Sequence, residues 1–325
     1  MGRFVLYYDC DTIQLHARVY HSLCVAKWCF STVSRAGCAA CRSAHFVDCE
    51  EAQGTMIPDH VKECFGLVGS IEYLPGGIQP VYRAGDVVIK QIHAGSLETE
   101  HSLELAPWLA RELAQVDAHG FRLARPVATR DSKWMLENGW TVWSHVEGRP
   151  PEAEDIPDVI DAIYALHASL RQVAKHPLLD QNTSAWGFAH RHCWGNRPER
   201  VHPTLAGLVD ELYSRCQPLP SLSCQLIHGD LNAENILVAS GQPPGFIDFT
   251  PFWAPVDFAV AMFANWIGPR QGDVSALRYF EHIPHFEQLL FRAAVRMLLI
   301  VSELEGVAGW ESAPEKRAAE LVLDL

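Results

Sequence analysis

The stretch Gln225–Phe249, reading QLIHGDLNAENILVASGQPPGFIDF, constrains the fold of this chain more than any other. Gln225–Ile227 closes an apolar run, and His228-Gly229-Asp230-Leu231-Asn232 is polar with a glycine, so strand passes to loop. Ile236-Leu237-Val238 then predicts a short strand, Ser240–Pro244 a turn and Gly245–Asp248 the returning strand. If Val238 faces Gly245 in an antiparallel ladder, Asn235 falls opposite Asp248, roughly 4.5–5.5 Å apart at Cβ. One divalent cation could reach both. An amide oxygen and a carboxylate are hard ligands of the kind Mg²⁺ accepts. Asp230, in the loop just before them, is placed to accept a proton from a hydroxyl or to orient it for attack on a γ-phosphoryl group. Taken singly, Asp230 and Asn235 read as turn formers and Asp248 as a strand-end cap; the three in order, on strand, loop and hairpin, read as a site.

Asp, four residues, Asn, then Asp-Phe at the end of the next hairpin is the layout of a kinase catalytic loop and metal-binding segment. With His-Gly-Asp in place of His-Arg-Asp, the chain resembles the aminoglycoside phosphotransferase and choline kinase-like superfamily. The resemblance runs from about Ile57 to the C-terminal helix and is most specific over His228–Asp257. Leu178-Leu179-Asp180 through Trp186 and Asp248-Phe249-Thr250-Pro251-Phe252-Trp253 resemble a poorly characterised, actinobacterial-type group within it. The resemblance implies an α+β, protein-kinase-like two-lobed fold with a small antiparallel-sheet N-lobe and a mainly helical C-lobe. It implies ATP- and Mg²⁺-dependent phosphorylation of a hydroxyl or amine of a small molecule, and no particular acceptor. Many relatives carry an acid close after the position of Asp248, where this chain has Phe-Thr-Pro, which leaves the number of metal ions open. The alternative is a catalytically inactive kinase-fold protein that binds a nucleotide or a protein partner.

A chain of 325 residues suits two lobes plus an extension. The expected division is a cysteine-rich, poorly ordered N-terminal extension over 1–55, an N-lobe over 56–146 and a C-lobe over 147–325. The formal net charge of −13 argues against nucleic acid as a partner, because binding a phosphate backbone needs clustered Lys and Arg. No apolar run is long enough to span a bilayer. Asp9, Asp11, His16, Arg18 and Lys27 interrupt every apolar stretch of the first thirty residues, so no secretory signal is read and the cytoplasm is the expected location. Seven of the ten cysteines fall between Cys10 and Cys64. Cys38-x2-Cys41, flanked by Cys29, His45 and Cys49, is a weak zinc-knuckle signal without a second pair at ligand spacing.

Pro58–Phe65 predicts a short helix. Ile71–Leu74, Val81–Arg83 and Val87–Lys90 predict three antiparallel strands. Gly76-Gly77, in the first turn, would let backbone N–H groups approach nucleotide phosphates, although two glycines in a hairpin are more often only a turn. Lys90 ends an apolar strand in the manner of the kinase lysine that contacts the α- and β-phosphates. Leu105, Trp108, Leu109, Leu113 and Val116 mark the core face of a helix whose backward extent Pro107 should limit. Glu104 is the candidate acidic partner for Lys90, with Glu100 and Glu112 as rivals. Trp134–Glu137 and Trp140–Val146 predict two strands around an Asn138-Gly139 turn. The resemblance makes the end of the second strand a hinge whose backbone at Ser144 to Val146 bonds the adenine edge, with Glu147–Pro151 as linker.

In the C-lobe, helices are expected over Ile156–Val173, Phe258–Ile267 and, as the last, His285–Glu305. His167 reads as a satisfied buried histidine, Leu178–Asn196 as packed loop more than pocket lining, and Asp257 as an N-cap. The short segment between Asp248 and Asp257 leaves no room for a peptide-docking activation loop. The summary expectation is Asp230 as base or orienter, Asn235 and Asp248 as metal ligands and Lys90 as phosphate clamp.

Overall fold

Pro58, with its fixed φ, opens the first helix, α1 (Asp59–Phe65), and Gly66 closes it in the left-handed region at φ 67°. The structure, a computed structural model, describes residues 57–74, 80–92, 102–304 and 312–325. The expectations on the cysteine-rich start, Gly76, Gly77 and Glu100 lie outside these residues. The chain divides into two compact units, one of residues up to Ile92 with Val127–Trp143, the other of His93–Pro126 with Ser144–Leu325.

In the first unit, β1 (Ile71–Leu74), β2 (Val81–Ala84) and β3 (Val87–Gln91) pair antiparallel, with Tyr73 opposite Tyr82 and Val81 opposite Lys90. β5 (Trp140–Ser144) lies on the far side of β3, giving the order β1-β2-β3-β5. Val61 and Phe65 of α1 close over Tyr82, Ile89, Trp140 and Val142, the apolar core that holds the sheet. The strand expected at Trp134–Glu137 does not form. Leu136 and Gly139 fold into a tight turn (Gly139 N–H to Leu136 O, 2.8 Å), and Val127 bonds β5 instead, through its N–H to Val142 O at 2.8 Å.

The second unit is mainly helical: α2 (Ser102–Ala114), α3 (Ile156–Ser169), α4 (Ala185–Trp194), α5 (Pro203–Arg215), α6 (Val256–Ile267), α7 (Phe286–Leu304) and α8 (Ala313–Leu323). α2 starts ahead of Pro107, contrary to expectation. The missing N–H costs only the bond to Leu103 O, in the first turns, while Leu105, Trp108, Leu109 and Leu113 are buried along the core face. α3 stops at Ser169, and α7 is not last, since α8 packs back on it. Leu178–Asn196 is not loop but a 3-10 turn followed by α4. α7 packs against α4, α5, α6 and α8 and is buried on nearly every side. Among the described residues no helix is long and apolar enough to cross a membrane.

Two small sheets frame the central stretch. β6 (Gln225–His228) pairs antiparallel with β9 (Pro251–Ala254), a strand the sequence reading missed. β7 (Ile236–Leu237) pairs antiparallel with β8 (Gly245–Phe246), which runs parallel to β4 (Arg122–Leu123). The β7–β8 register differs from expectation by one residue: Leu237, not Val238, faces Gly245. Val238 instead exchanges both backbone bonds with Arg149.

Candidate active site

The one-residue shift places Asn235 beside Ile247, whose N–H donates to Asn235 O at 3.0 Å, and takes Asp248 out of the ladder. Asn235 ends a 3-10 turn over Ala233–Asn235, capped by the Asn232 side chain, which accepts from the N–H groups of Glu234 and Asn235 at 2.9 and 3.0 Å. Asp248 adopts φ 55°, a strained left-handed conformation for a residue with a side chain. Its carboxyl is thereby re-aimed from the direction a regular strand would give it.

Asp230 and Asn235 are in direct contact. Asn235 Nδ2 donates to Asp230 O at 2.8 Å and to Asp230 Oδ2 at 3.2 Å. With Nδ2 so used, Oδ1 is the acceptor that Asn235 has left to offer. Burial pushes the Asp230 carboxyl up to about 6 against the pull of the Arg296 guanidinium, and the charge of Asp248 pushes the same way as burial. Two carboxylates that feel each other, next to an amide oxygen, make a hard-oxygen donor set that fits a divalent cation. Among the described residues no group of three or more His, Cys, Asp or Glu could hold a metal ion.

Two buried histidines hold this loop, and their partners settle the tautomers. His167 Nε2 accepts the His228 backbone N–H at 3.1 Å, so the proton sits on Nδ1 and goes to Ile163 O at 2.7 Å. His228 Nδ1 faces the N–H of Asp230 at 3.3 Å and, at 3.5 Å, that of Thr250; its Nε2–H donates to Ile247 O at 3.0 Å. One imidazole thus ties the residue next to Asp248 to the backbone of Asp230. Burial pushes His167 down to about 3, which keeps it neutral. Gly229 is required between them, because a Cβ there would lie 2.0 Å from Phe252 Cδ2.

The phosphotransferase enzyme family model matches residues 70–292. This chain belongs to the phosphotransferase enzyme family. Its fold is similar to that of amicoumacin kinase hAmiN, solved in complex with AMP-PNP, Ca²⁺ and Ami (15% identity, TM-score 0.56, covering 85% of this chain and 96% of that one). It is also similar to a thermostable mutant of aminoglycoside phosphotransferase APH(4)-Ia in ternary complex with AMP-PNP and hygromycin B (13%, 0.52, 82% and 97%). A third is choline kinase LicA from Streptococcus pneumoniae (13%, 0.54, 82% and 99%). At these identities the likeness establishes the kinase-like fold, with its small antiparallel sheet and mainly helical remainder. No curated protein matches this chain.

The other expected positions of this phosphotransferase-family chain are as follows. Lys90 is half-buried on an inner strand, its carbonyl accepting from Thr141 Oγ1 at 3.4 Å. Glu104 is exposed in the first turn of α2, and Glu112 is bonded to its neighbour Arg111. Ser144 is committed to Arg125 twice, donating its N–H to Arg125 O (2.7 Å) and accepting the Arg125 N–H on Oγ (2.8 Å). Asp257 is not an N-cap: Pro255 holds that position, and Asp257 Oδ1 accepts from Tyr164 Oη at 2.8 Å, bracing α3 against α6. His167 is the satisfied buried histidine that the sequence reading expected. Sequence reasoning gave no role to two groups that act on Asp230: His228 carried a signal in its motif, whereas Arg296 lies in a run that reads only as an apolar helix. Glu234, within the loop, is pushed up to about 7 by burial.

Proposed function

We propose that this chain is an ATP- and Mg²⁺-dependent kinase of a small molecule carrying a hydroxyl group. The observation that supports the reading best is the contact of Asp230 with Asn235 in a loop bolted by His228 to the segment carrying Asp248. Asp230 accepts the hydroxyl proton or orients the hydroxyl, as the acceptor oxygen bonds to the γ-phosphorus and the bridging bond to ADP breaks. Asn235 and Asp248 are the residues to hold Mg²⁺, which when bound neutralises charge developing on the phosphoryl oxygens. Lys90 is the proposed phosphate clamp, with Glu104 as its acidic partner, Gly76-Gly77 as a phosphate-facing turn and Ser144 to Val146 as the adenine-binding backbone. The chain's own contribution is mainly positioning, and the histidine ties supply it by fixing the loop before substrate arrives.

The test is ADP release by the full chain across a panel of amino alcohols, sugars, sugar phosphates, hydroxy acids, aminoglycosides and nucleosides, with Asp230→Asn as control. Release above the control with at least one acceptor supports the kinase. Nucleotide binding without release above control for any of them returns the chain to the alternative of a silent kinase-fold binder.

A further inference from the structure

Helix α7 buries two arginines on one face, Arg292 and Arg296, which are 7% and 1% exposed. Neither is in an ion pair among the described residues. Arg292 donates from Nη1 to Gln288 O at 3.0 Å and from Nη2 to Gln217 O at 2.6 Å, but its Nε has no partner. Arg296 has no partner on Nε or on Nη2. Nε and Nη2 form the side-on edge of a guanidinium, the fork that grips two oxygens of a carboxylate or phosphate at once. Trp194 Nε1 is a further buried donor without a partner.

These groups form one cluster. The Arg292 guanidinium lies 5.7 Å from the Trp194 ring centroid and that of Arg296 lies 5.1 Å from the Phe252 ring. His190 stacks on Phe252 at 4.4 Å, and Trp194 meets Phe258 edge-on at 4.8 Å. Stacking on aromatic faces offsets part of the cost of burying the two charges, but it satisfies no N–H group. No side chain of the cluster itself supplies a negative charge: burial holds the Cys193 thiol up at about 12, and burial with Arg296 holds His190 down at about 3. The carboxylate that Arg296 feels is Asp230, in the neighbouring loop, and it makes no ion pair or hydrogen bond with the guanidinium edge. The cluster abuts the catalytic loop, because Phe252, under Arg296, is the ring that excludes a side chain at Gly229, next to Asp230.

We propose that the Arg296 edge, with Arg292 Nε and Trp194 Nε1, is an oxyanion-recognition site of the acceptor, so that the molecule phosphorylated is a hydroxyl compound carrying a carboxylate or phosphate. The identification of the bound molecule as an acceptor rests on the kinase reading above; the site itself does not. Cationic amino alcohols and aminoglycosides are the wrong sign for it.

Thermal unfolding of the full chain in inorganic phosphate, in malonate and in chloride at matched ionic strength tests the site. A rise of about 5 °C is expected for wild type at roughly 100-fold over the dissociation constant of the effective anion. Which anion acts distinguishes a phosphate from a carboxylate. The rise should vanish in Arg296→Met, which keeps the volume and removes the fork. An equal rise in Arg296→Met, or none in wild type with either anion, overturns the proposal. If that variant does not fold, Arg296→Lys and Arg292→Met decide by the same rule, since each removes donors and keeps a long side chain. ADP release separates the two readings. Release with cationic acceptors alone sinks this inference and leaves the kinase; an Arg296-dependent anion effect with no release from any acceptor sinks the kinase and leaves the oxyanion site.

Discussion

The loop around Asp230 and the interior between α4 and α7 both bury polar side chains, and they account for them in opposite ways. In the loop, both nitrogens of His167 and both of His228 face a named backbone group. Between α4 and α7, the Arg296 fork, Arg292 Nε and Trp194 Nε1 face none. A buried polar group satisfied by its own chain is framework, because it fixes one conformation. A buried group left unsatisfied is a standing cost that a ligand can relieve. The comparison therefore separates residues that hold the site from residues that read a substrate.

The largest expected effect is on turnover. Asp230→Asn should lower kcat by about 10²- to 10⁴-fold, the range of a lost general base, with ATP affinity close to wild type. A kcat within about threefold of wild type would remove Asp230 from the chemistry. Next comes the framework. His167→Ala strips the buried His228 N–H of its acceptor and leaves a cavity, and should cost about 3 kcal/mol in urea unfolding. A loss under about 1 kcal/mol would mean that the histidine relay is not what fixes the loop.

The framework was more legible in the sequence than the recognition residues, for a physical reason. Asp230, Asn235 and Asp248 are close along the chain, and the contact of Asp230 with Asn235 lies within one loop and does not depend on the register of the hairpin. The register itself came out one residue off, because Arg149, nearly ninety residues upstream, captures both backbone groups of Val238. No local pattern announces that capture. β9 was hidden for a similar reason: Pro251–Ala254 becomes a strand only because β6 lies beside it. Arg296 was the least legible of all. In Phe286–Leu304 it lies in a run that reads only as an apolar helix, and only the packing of α4, α5, α6 and α8 around α7 makes it buried. Pro107 misled in the other direction, since burial of the α2 face outweighs one lost hydrogen bond.

Arg296→Met sharpens the comparison through stability. Replacing a buried guanidinium whose Nε and Nη2 lack partners by an apolar side chain of similar volume removes unmade buried hydrogen bonds and is expected to be stabilising by about 1 kcal/mol, net of the lost attraction to Asp230. Truncating a framework residue does the reverse. If Arg296→Met instead loses more than about 1 kcal/mol, the guanidinium belongs to the framework with His167, its stacking on Phe252 and its attraction to Asp230 outweighing its open donors.

The smallest effect is a pH dependence. Asp230 has a folded-state value of about 6 against an ordinary 3.8, raised first by burial. Between these values the unfolded chain has already released the proton that the folded chain keeps, so raising pH favours unfolding, and the penalty is complete above about 6. Asparagine does not titrate. In metal-free buffer the stability of Asp230→Asn relative to wild type should therefore grow from pH 4 to pH 6 and stay level above that. The same ionisation bears on turnover, since only the carboxylate can take a proton: kcat of wild type should fall as pH is lowered and Asp230 becomes protonated. A stability difference that is flat across this range would mean that the negative charge at Asp230 is already matched in the folded loop, and the site would then be framework throughout.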